Sequence, residues 1–263
     1  MLRAYPDSWL IQHHAASKDG YGLAGVAVLD QIGQYINEFH SHRSTHMDYV
    51  MCYFRKENKF PSRVFGGTAK DVTDPKGISL DVFSYVHLTV EWEGPSICQI
   101  LPVSDADLKS LNRFYESVSG GLMLDAMNLK VPTNADDELS SRYSELGFRR
   151  KSLVFSFHEA GTLKAIVTLQ LTELGLNLSN LTNCFHALVI DPSLDPKVLL
   201  SGLRKLGQQY TQEDLPLLVF PSNYLEAHGV TSEKNYTLWV LNMTHTDSYF
   251  RSIQKRFRRG QLE

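Results

Sequence analysis

The order in which short β-rich runs and amphipathic runs alternate constrains this chain more than any single motif, because the same order occurs twice. In the C-terminal part NCFHALVIDP reads as a strand, LDPKVLLSGLRKLGQQY as a helix and LPLLVF as a strand. SNYLEAHGV then reads as a short helix and NYTLWVLN as a last strand. Near the start, SWLIQHHAA, GLAGVAVLDQIGQYINEFH, DYVMCYF, FPSRVFGGTAKDV and GISLDVFSYVHL repeat that alternation. The reading is of two copies of a strand-helix-strand-helix-strand unit in 263 residues, enough chain for two ordinary domains.

Local signals fix several elements. Strands are expected over Trp9 to Ala16, Tyr49 to Phe54 and Ile78 to Val90, with Leu80 and Val82 packing inward on the last. Leu23, Val26, Ala27, Ile32 and Ile36 recur at helical spacing and predict a helix from about Leu23 to Phe39. Gly94 and Pro95 in EWEGPS mark the boundary between domains of residues 1–93 and 94–263. Beyond it, a strand over Ile97 to Leu101 precedes a helix that Ser104 and Asp107 cap and that runs to about Ser117. Gly147 is expected to stop a helix ending at SSRYSELGF, and HEAGT is expected to turn a hairpin on Gly161.

Composition excludes more than it assigns. The net charge of -3, from 26 basic and 29 acidic residues, gives no global attraction to nucleic acid or anionic lipid. Cys52, Cys98 and Cys184 are odd in number and lie in largely apolar runs, as expected of buried thiols in a reducing compartment, and no metal site is expected. No apolar run reaches the ~20 residues of a bilayer span, and MLRAYPDSWL lacks a signal peptide's layout, so a cytoplasmic protein is expected. His13 and His14 alternate on one strand and cannot both face one ion. The basic tail RSIQKRFRRG reads as a solvated amphipathic terminal helix.

The element order over residues 97–243 resembles the GNAT acyltransferase superfamily. YLEAHGVTSEKNYTLWVL is similar to that superfamily's last helix and strand, and HEAGTLKAIVTL to its hairpin. Residues 9–88 resemble only the last three strands and two helices. The fold class implied is α/β, with tandem GNAT-like mixed sheets flanked by helices and a partial N-terminal copy. The arrangement also resembles domains of bacterial PilZ-containing cyclic-dinucleotide signalling proteins, although no PilZ motif is present.

The resemblance implies an N-acyltransferase that takes acyl-CoA or another acyl thioester as donor and a small-molecule amine or other polar ligand as acceptor. In the family a glycine loop holds the coenzyme A pyrophosphate at a helix N-terminus. In the first copy SKDGYG puts Gly20 and Gly22 at the small-residue positions and Ser17 where Arg or Gln is usual. In the second, DPSLDPKVLLSG has no glycine before Gly202 and carries Asp191 and Asp195, which repel phosphate. GYGLAG also fits a dinucleotide fingerprint formally, but it stands in one unit only, and a plain glycine-rich turn is the simpler reading.

The catalytic candidates are His186, as a base on the fourth strand, and Tyr224, as a general acid, although Leu225 stands at the family's tyrosine position. Tyr143 has family-like YxxLGF spacing in an earlier element. Asn177, Ser179, Asn180 and Asn183 of NLSNLTN are expected to hydrogen-bond a polar ligand near the point where the family's strands splay; the alternative is a loop of local turns. A non-catalytic ligand-binding or signalling module of the same fold is the competing function, favoured by the missing second glycine loop.

Overall fold

The computed structural model describes residues 1–12, 24–88, 98–130, 138–173, 176, 181–210 and 214–258. The chain starts with β1 (Leu2–Tyr5), β2 (Ser8–Ile11), α1 (Ala24–Phe39) and β3 (Tyr49–Phe54). Then α2 (Lys59–Pro61) and α3 (Gly67–Asp71) flank a π-helical turn and lead to β4 (Ile78–Leu88). Next come β5 (Gln99–Pro102), α4 (Asp105–Val118), α5 (Met123–Ala126) and α6 (Glu138–Glu145), followed by the hairpin β6 (Arg150–Glu159) and β7 (Thr162–Thr172). Last are β8 (Phe185–Val189), α7 (Pro196–Gly207), β9 (Leu215–Phe220), α8 (Tyr224–Ala227), β10 (Lys234–Asn242) and α9 (Thr246–Arg258).

The chain is α/β, with mixed sheets flanked by helices, and forms two compact units. One comprises Met1–Asp81, Val118–Asn128 and Thr237–Glu263; the other comprises Val82–Ser117 and Leu129–Tyr236. The 93/94 division read from EWEGPS falls outside the described residues.

The first unit orders its strands β1-β2-β3-β10. β1 and β2 form an antiparallel pair, β2 runs parallel to β3 from Ser8↔Tyr49 to Ile11↔Cys52, and β10 closes antiparallel on β3 from Thr237↔Phe54 to Asn242↔Tyr49. Val50, Phe54, Phe65, Trp239 and Leu241 form its core, with Ile36 of α1 among them and Leu29, Ile32, Tyr249 and Ile253 packed against it. β1 has no counterpart in the sequence reading, which starts the fold at Trp9.

Two expectations are overturned in this unit. Leu80 and Val82 are exposed, whereas Ser79 and Asp81 are buried. Ser79 Oγ accepts from Leu122 N and Asp81 Oδ1 accepts from Ser119 Oγ, so hydrogen bonds to residues 118–128 decide which face of β4 turns inward. The tail is not a free solvated helix either. Ser252 and Arg256 of α9 both donate to Asp71 of α3, at 2.6 and 2.9 Å, and Arg256 also donates to Gly67 O. Burial works to raise the Asp71 pKa, but the bonds from Ser252 and Arg256 outweigh it and leave the carboxyl below its ordinary value.

The second unit orders its strands β4-β9-β8-β7-β6-β5. β8 and β9 are parallel, and the remaining neighbours are antiparallel. Ala160 and Gly161 both have positive φ, 47° and 76°, the geometry a two-residue hairpin needs, and the turn fixes Arg150 opposite Thr172 at the far end of the ladder. Ser104 and Asp107 form the expected reciprocal cap at the start of α4. α7 presses Val198, Leu199, Leu203 and Leu206 onto Phe157, Phe185, Ala187 and Leu217. Phe157 lies so close to Gly202 that a side chain there would have no room.

Each unit contains the same local arrangement. In each, two parallel strands are joined through a helix: β2, α1 and β3 in the first, β8, α7 and β9 in the second. β4 pairs antiparallel with β9, from Ser84↔Val219 to Leu88↔Leu215. β10 pairs antiparallel with β3. Among the described residues no helix is long and apolar enough to cross a membrane. Residues 94–263 expressed alone should therefore lack native near-ultraviolet circular dichroism, because β9 has lost β4. Mixing that fragment with residues 1–93 should restore the signal and give a co-eluting complex; a folded, monomeric 94–263 fragment would contradict the need for β4 beside β9.

Candidate functional site

At the helix start where the resemblance implies a phosphate loop, the chain satisfies itself. Asp195 caps α7 by accepting from Lys197 N at 2.8 Å, and Pro196 at the first helical position has no N–H to offer. Asp191 accepts from Lys164 Nζ at 2.6 Å and from Ser193 N at 2.9 Å, and these bonds, Lys164 foremost, take its pKa to about 2. The carbonyls of Leu194 and Pro192 are bonded by Tyr224 Oη at 2.6 Å and His228 Nε2 at 2.8 Å. An incoming pyrophosphate would meet two carboxylates. β8 and β9 stay paired from Phe185↔Leu217 to Leu188↔Phe220, so the strands do not splay over that stretch.

His186 and Tyr224 are not brought together. Phe185, Ala187 and Val189 join Tyr224 in one core, and strand alternation places His186 on the opposite face of β8. His186 is fully buried, edge-on to Phe83, with Cys184 Sγ 4.0 Å from its Nδ1. Burial lowers its pKa to about 3, which keeps the ring neutral. Tyr224 is buried against His228, and that burial raises its pKa. Tyr143 is buried on α6, where its carbonyl accepts from Phe148 N at the helix stop.

Ser17, Gly20 and Gly22 lie outside the described residues, as do His13, His14, Asn177, Ser179 and Asn180. Asn183 is described: it is buried, and its Oδ1 accepts from Thr172 N at 3.2 Å.

Asn183 lines a cavity of about 420 Å³. Ser140 and Ser144 of α6 contribute to it, with Phe148–Lys151 at the start of β6, Leu171–Glu173 at the end of β7, and Gln209 and Tyr210 after α7. The sequence builds it locally. Gly147 ends α6 with φ 80°, FRRK follows at once, and the hairpin register returns Thr172 to face Arg150. Arg149 Nε donates to Glu173 Oε1 at 2.9 Å, which holds that carboxyl below its ordinary pKa. Arg150 is only 6% exposed, with Nη1 3.4 Å from Ser140 Oγ, while Lys151 is exposed. Tyr210 donates to Gln170 O at 3.1 Å and packs its ring 5.0 Å from that of Phe185.

A second cluster, absent from the sequence reading, joins the end of β4 to the start of β10. His87 Nδ1 lies 3.0 Å from Glu233 Oε1, and His87 Nε2 lies 3.1 Å from Tyr85 Oη. A carboxylate only accepts, so Nδ1 donates to Glu233. Burial raises the Tyr85 pKa and keeps the phenol protonated. Lys234 Nζ stands 4.5 Å above the Tyr85 ring. No local pattern links residues 85 and 87 to 233; only the fold does.

No family model matches this sequence, and no curated protein matches it. Among solved structures, a functionally unknown conserved protein from Staphylococcus epidermidis aligns at TM-score 0.38 and 8% identity, covering 92% of this chain and 89% of its own. A GCN5-related N-acetyltransferase from Sphaerobacter thermophilus aligns at TM-score 0.38 and 12% identity, covering 83% and 69%. A tandem GNAT protein from the clavulanic acid biosynthesis pathway aligns at TM-score 0.34 and 10% identity, covering 90% and 75%.

Two outcomes follow from the buried His186 and Tyr224. Because the folded pKa of His186 is depressed from 6.5 to about 3, the unfolded chain takes up the proton first. This group's contribution to stability is therefore lost as pH falls from about 6.5 to 3, at up to about 1.4 kcal/mol per pH unit. Urea midpoints should fall over that range, and His186→Leu should flatten the slope; an unchanged slope would contradict the burial argument. Tyr224→Phe should lower stability by about 1 kcal/mol at an unchanged denaturant m-value, through loss of the bond to Leu194 O.

Proposed function

We propose that this chain is a tandem GNAT-like protein, its copies divided at 93/94, whose second copy binds a small ligand without transferring an acyl group. The α7 N-terminus carries this reading. Its own Asp195 and Pro196 close it, and Asp191 lies beside it, where an acyl-CoA pyrophosphate would need free N–H groups. The paired β8 and β9 and the buried, neutral His186 support the same reading. The GNAT-like assignment itself is supported by the element order and by the hairpin and final helix-strand sequences quoted above. Within it, acyl-thioester binding belongs to Ser17, Gly20 and Gly22 of the first copy.

Thermal melts with acetyl-CoA and longer acyl-CoAs test this, because a ligand that binds only the folded state raises the melting temperature. The expected result is no shift that depends on the second copy, and no release of free CoA thiol with an amine panel. If acyl-CoA stabilises the protein, Gly22→Val should abolish the effect. A shift that survives Gly22→Val, or sustained thiol release, would overturn the reading.

A further inference from the structure

We propose that the apolar cavity lined by α1, α9 and strands β2, β3 and β10 binds a small uncharged organic molecule with one hydrogen-bond acceptor, of the aryl ketone type, whose acceptor meets the indole N–H of Trp239. The proposal goes beyond the ligand-binding reading of the second copy and stands without it.

The walls are mostly hydrocarbon and lie within the first unit. Val50 and Leu241 come from the sheet, Ile32 and Ile36 from α1 and Phe250 from α9. Trp239 is also part of the lining, only 1% exposed, and its Nε1 is buried without a hydrogen-bond partner. The rings of Phe65 and Tyr249, with centroids 4.9 and 5.4 Å away, hold the indole in place. A buried donor that has lost water and gained no acceptor is costly and rare. Here it belongs to the wall of a cavity.

A water molecule matches this wall poorly. The cavity measures about 10 Å³, room for roughly one water, but a buried water typically makes about three hydrogen bonds. Among the lining side chains only the Tyr249 hydroxyl can join the indole as a second polar partner. An apolar guest with one acceptor suits the walls and the N–H together, because an indole only donates. None of the lining residues is acidic or basic, and burial raises the Tyr249 pKa and keeps the phenol neutral, so a charged guest would enter without a counter-charge.

Phe250 supplies the room. Its ring comes within 2.8 Å of where a Cβ on Gly33 would stand, and Phe250 is only partly buried. Rotation of that ring towards solvent frees a phenyl-sized volume beside the cavity, while Ser252 and Arg256 keep α9 anchored to Asp71.

Acetophenone, ethylbenzene and benzoate are each titrated into the full-length protein, up to about 10 mM or to the solubility limit, and the indole N–H resonances are followed by NMR. Trp239→Phe identifies the Trp239 signal. Acetophenone should shift that signal saturably and bind roughly fivefold or more tighter than ethylbenzene, the worth of one hydrogen bond. Benzoate should bind more weakly still. Phe250→Ala should tighten acetophenone binding by roughly threefold or more, since no ring has to leave. Trp239→Phe should bind both neutral probes without preference; if that variant fails to fold, the native preference and Phe250→Ala decide. No saturable shift in the native protein, equal affinity for acetophenone and ethylbenzene, or benzoate binding as tightly as acetophenone would overturn the site. So would a water cross-peak at the Trp239 N–H that acetophenone leaves in place.

Discussion

The antiparallel ladder between β4 and β9, with its counterpart between β10 and β3, is the constraint the rest of the chain has to meet. β3 lies between β2 and β10 with Val50 and Met51 fully buried, and β9 lies between β8 and β4 with Leu217 and Leu218 equally so. A buried strand with one open side leaves a row of amide and carbonyl groups without partners, at a cost no side-chain packing offsets. Each parallel pair is therefore completed by an antiparallel strand distant in sequence, β10 on β3 and β4 on β9. The hydrogen bonds around Ser79 and Asp81, and the Arg256 to Asp71 contact of α9, then set faces and termini within the first unit.

The second unit is electrically polar along β8. Beyond its C-terminal end stand Asp191 and Asp195, one paired to Lys164 and the other capping a helix. Near its N-terminal end stand Arg149, Arg150 and Lys151, around a cavity that Asn183 helps to line. The self-capped start of α7 and the cavity beside β6 are thus separate features, at opposite ends of one strand.

The sequence made some of this legible and hid the rest, for physical reasons. Tyr49–Phe54 and Leu215–Phe220 could be read to the residue, because apolar β-formers bounded by polar runs leave little choice. The Ser104 and Asp107 cap and the Gly161 turn were equally readable, since each depends on neighbours a few residues away. The pairing of β4 with β9 and of β10 with β3 was not, because hydrophobic pattern marks a strand without naming its partner. Leu80 and Val82 misled for a related reason: the inward face of β4 is set by Ser119 and Leu122, some 40 residues on in the chain. FRRK reads as a solvated charge run, and only the hairpin register places Arg150 opposite Thr172 and out of water. Asn183 is the one ligand-binding candidate in NLSNLTN that the described residues include, and it lines the cavity.

The distant strand pairings also order events during synthesis. As the ribosome extends the chain, β2, α1 and β3 emerge before β4, yet the strand that covers the open side of β3 is made only after β9. β4 likewise waits for β9. Between β3 and β10 the nascent chain therefore carries an uncovered apolar strand edge, and closure waits for β9 and β10, in the low-locality regime where folding is slow. Units built this way close together rather than one after the other, and their exposure to aggregation persists until β10 is released.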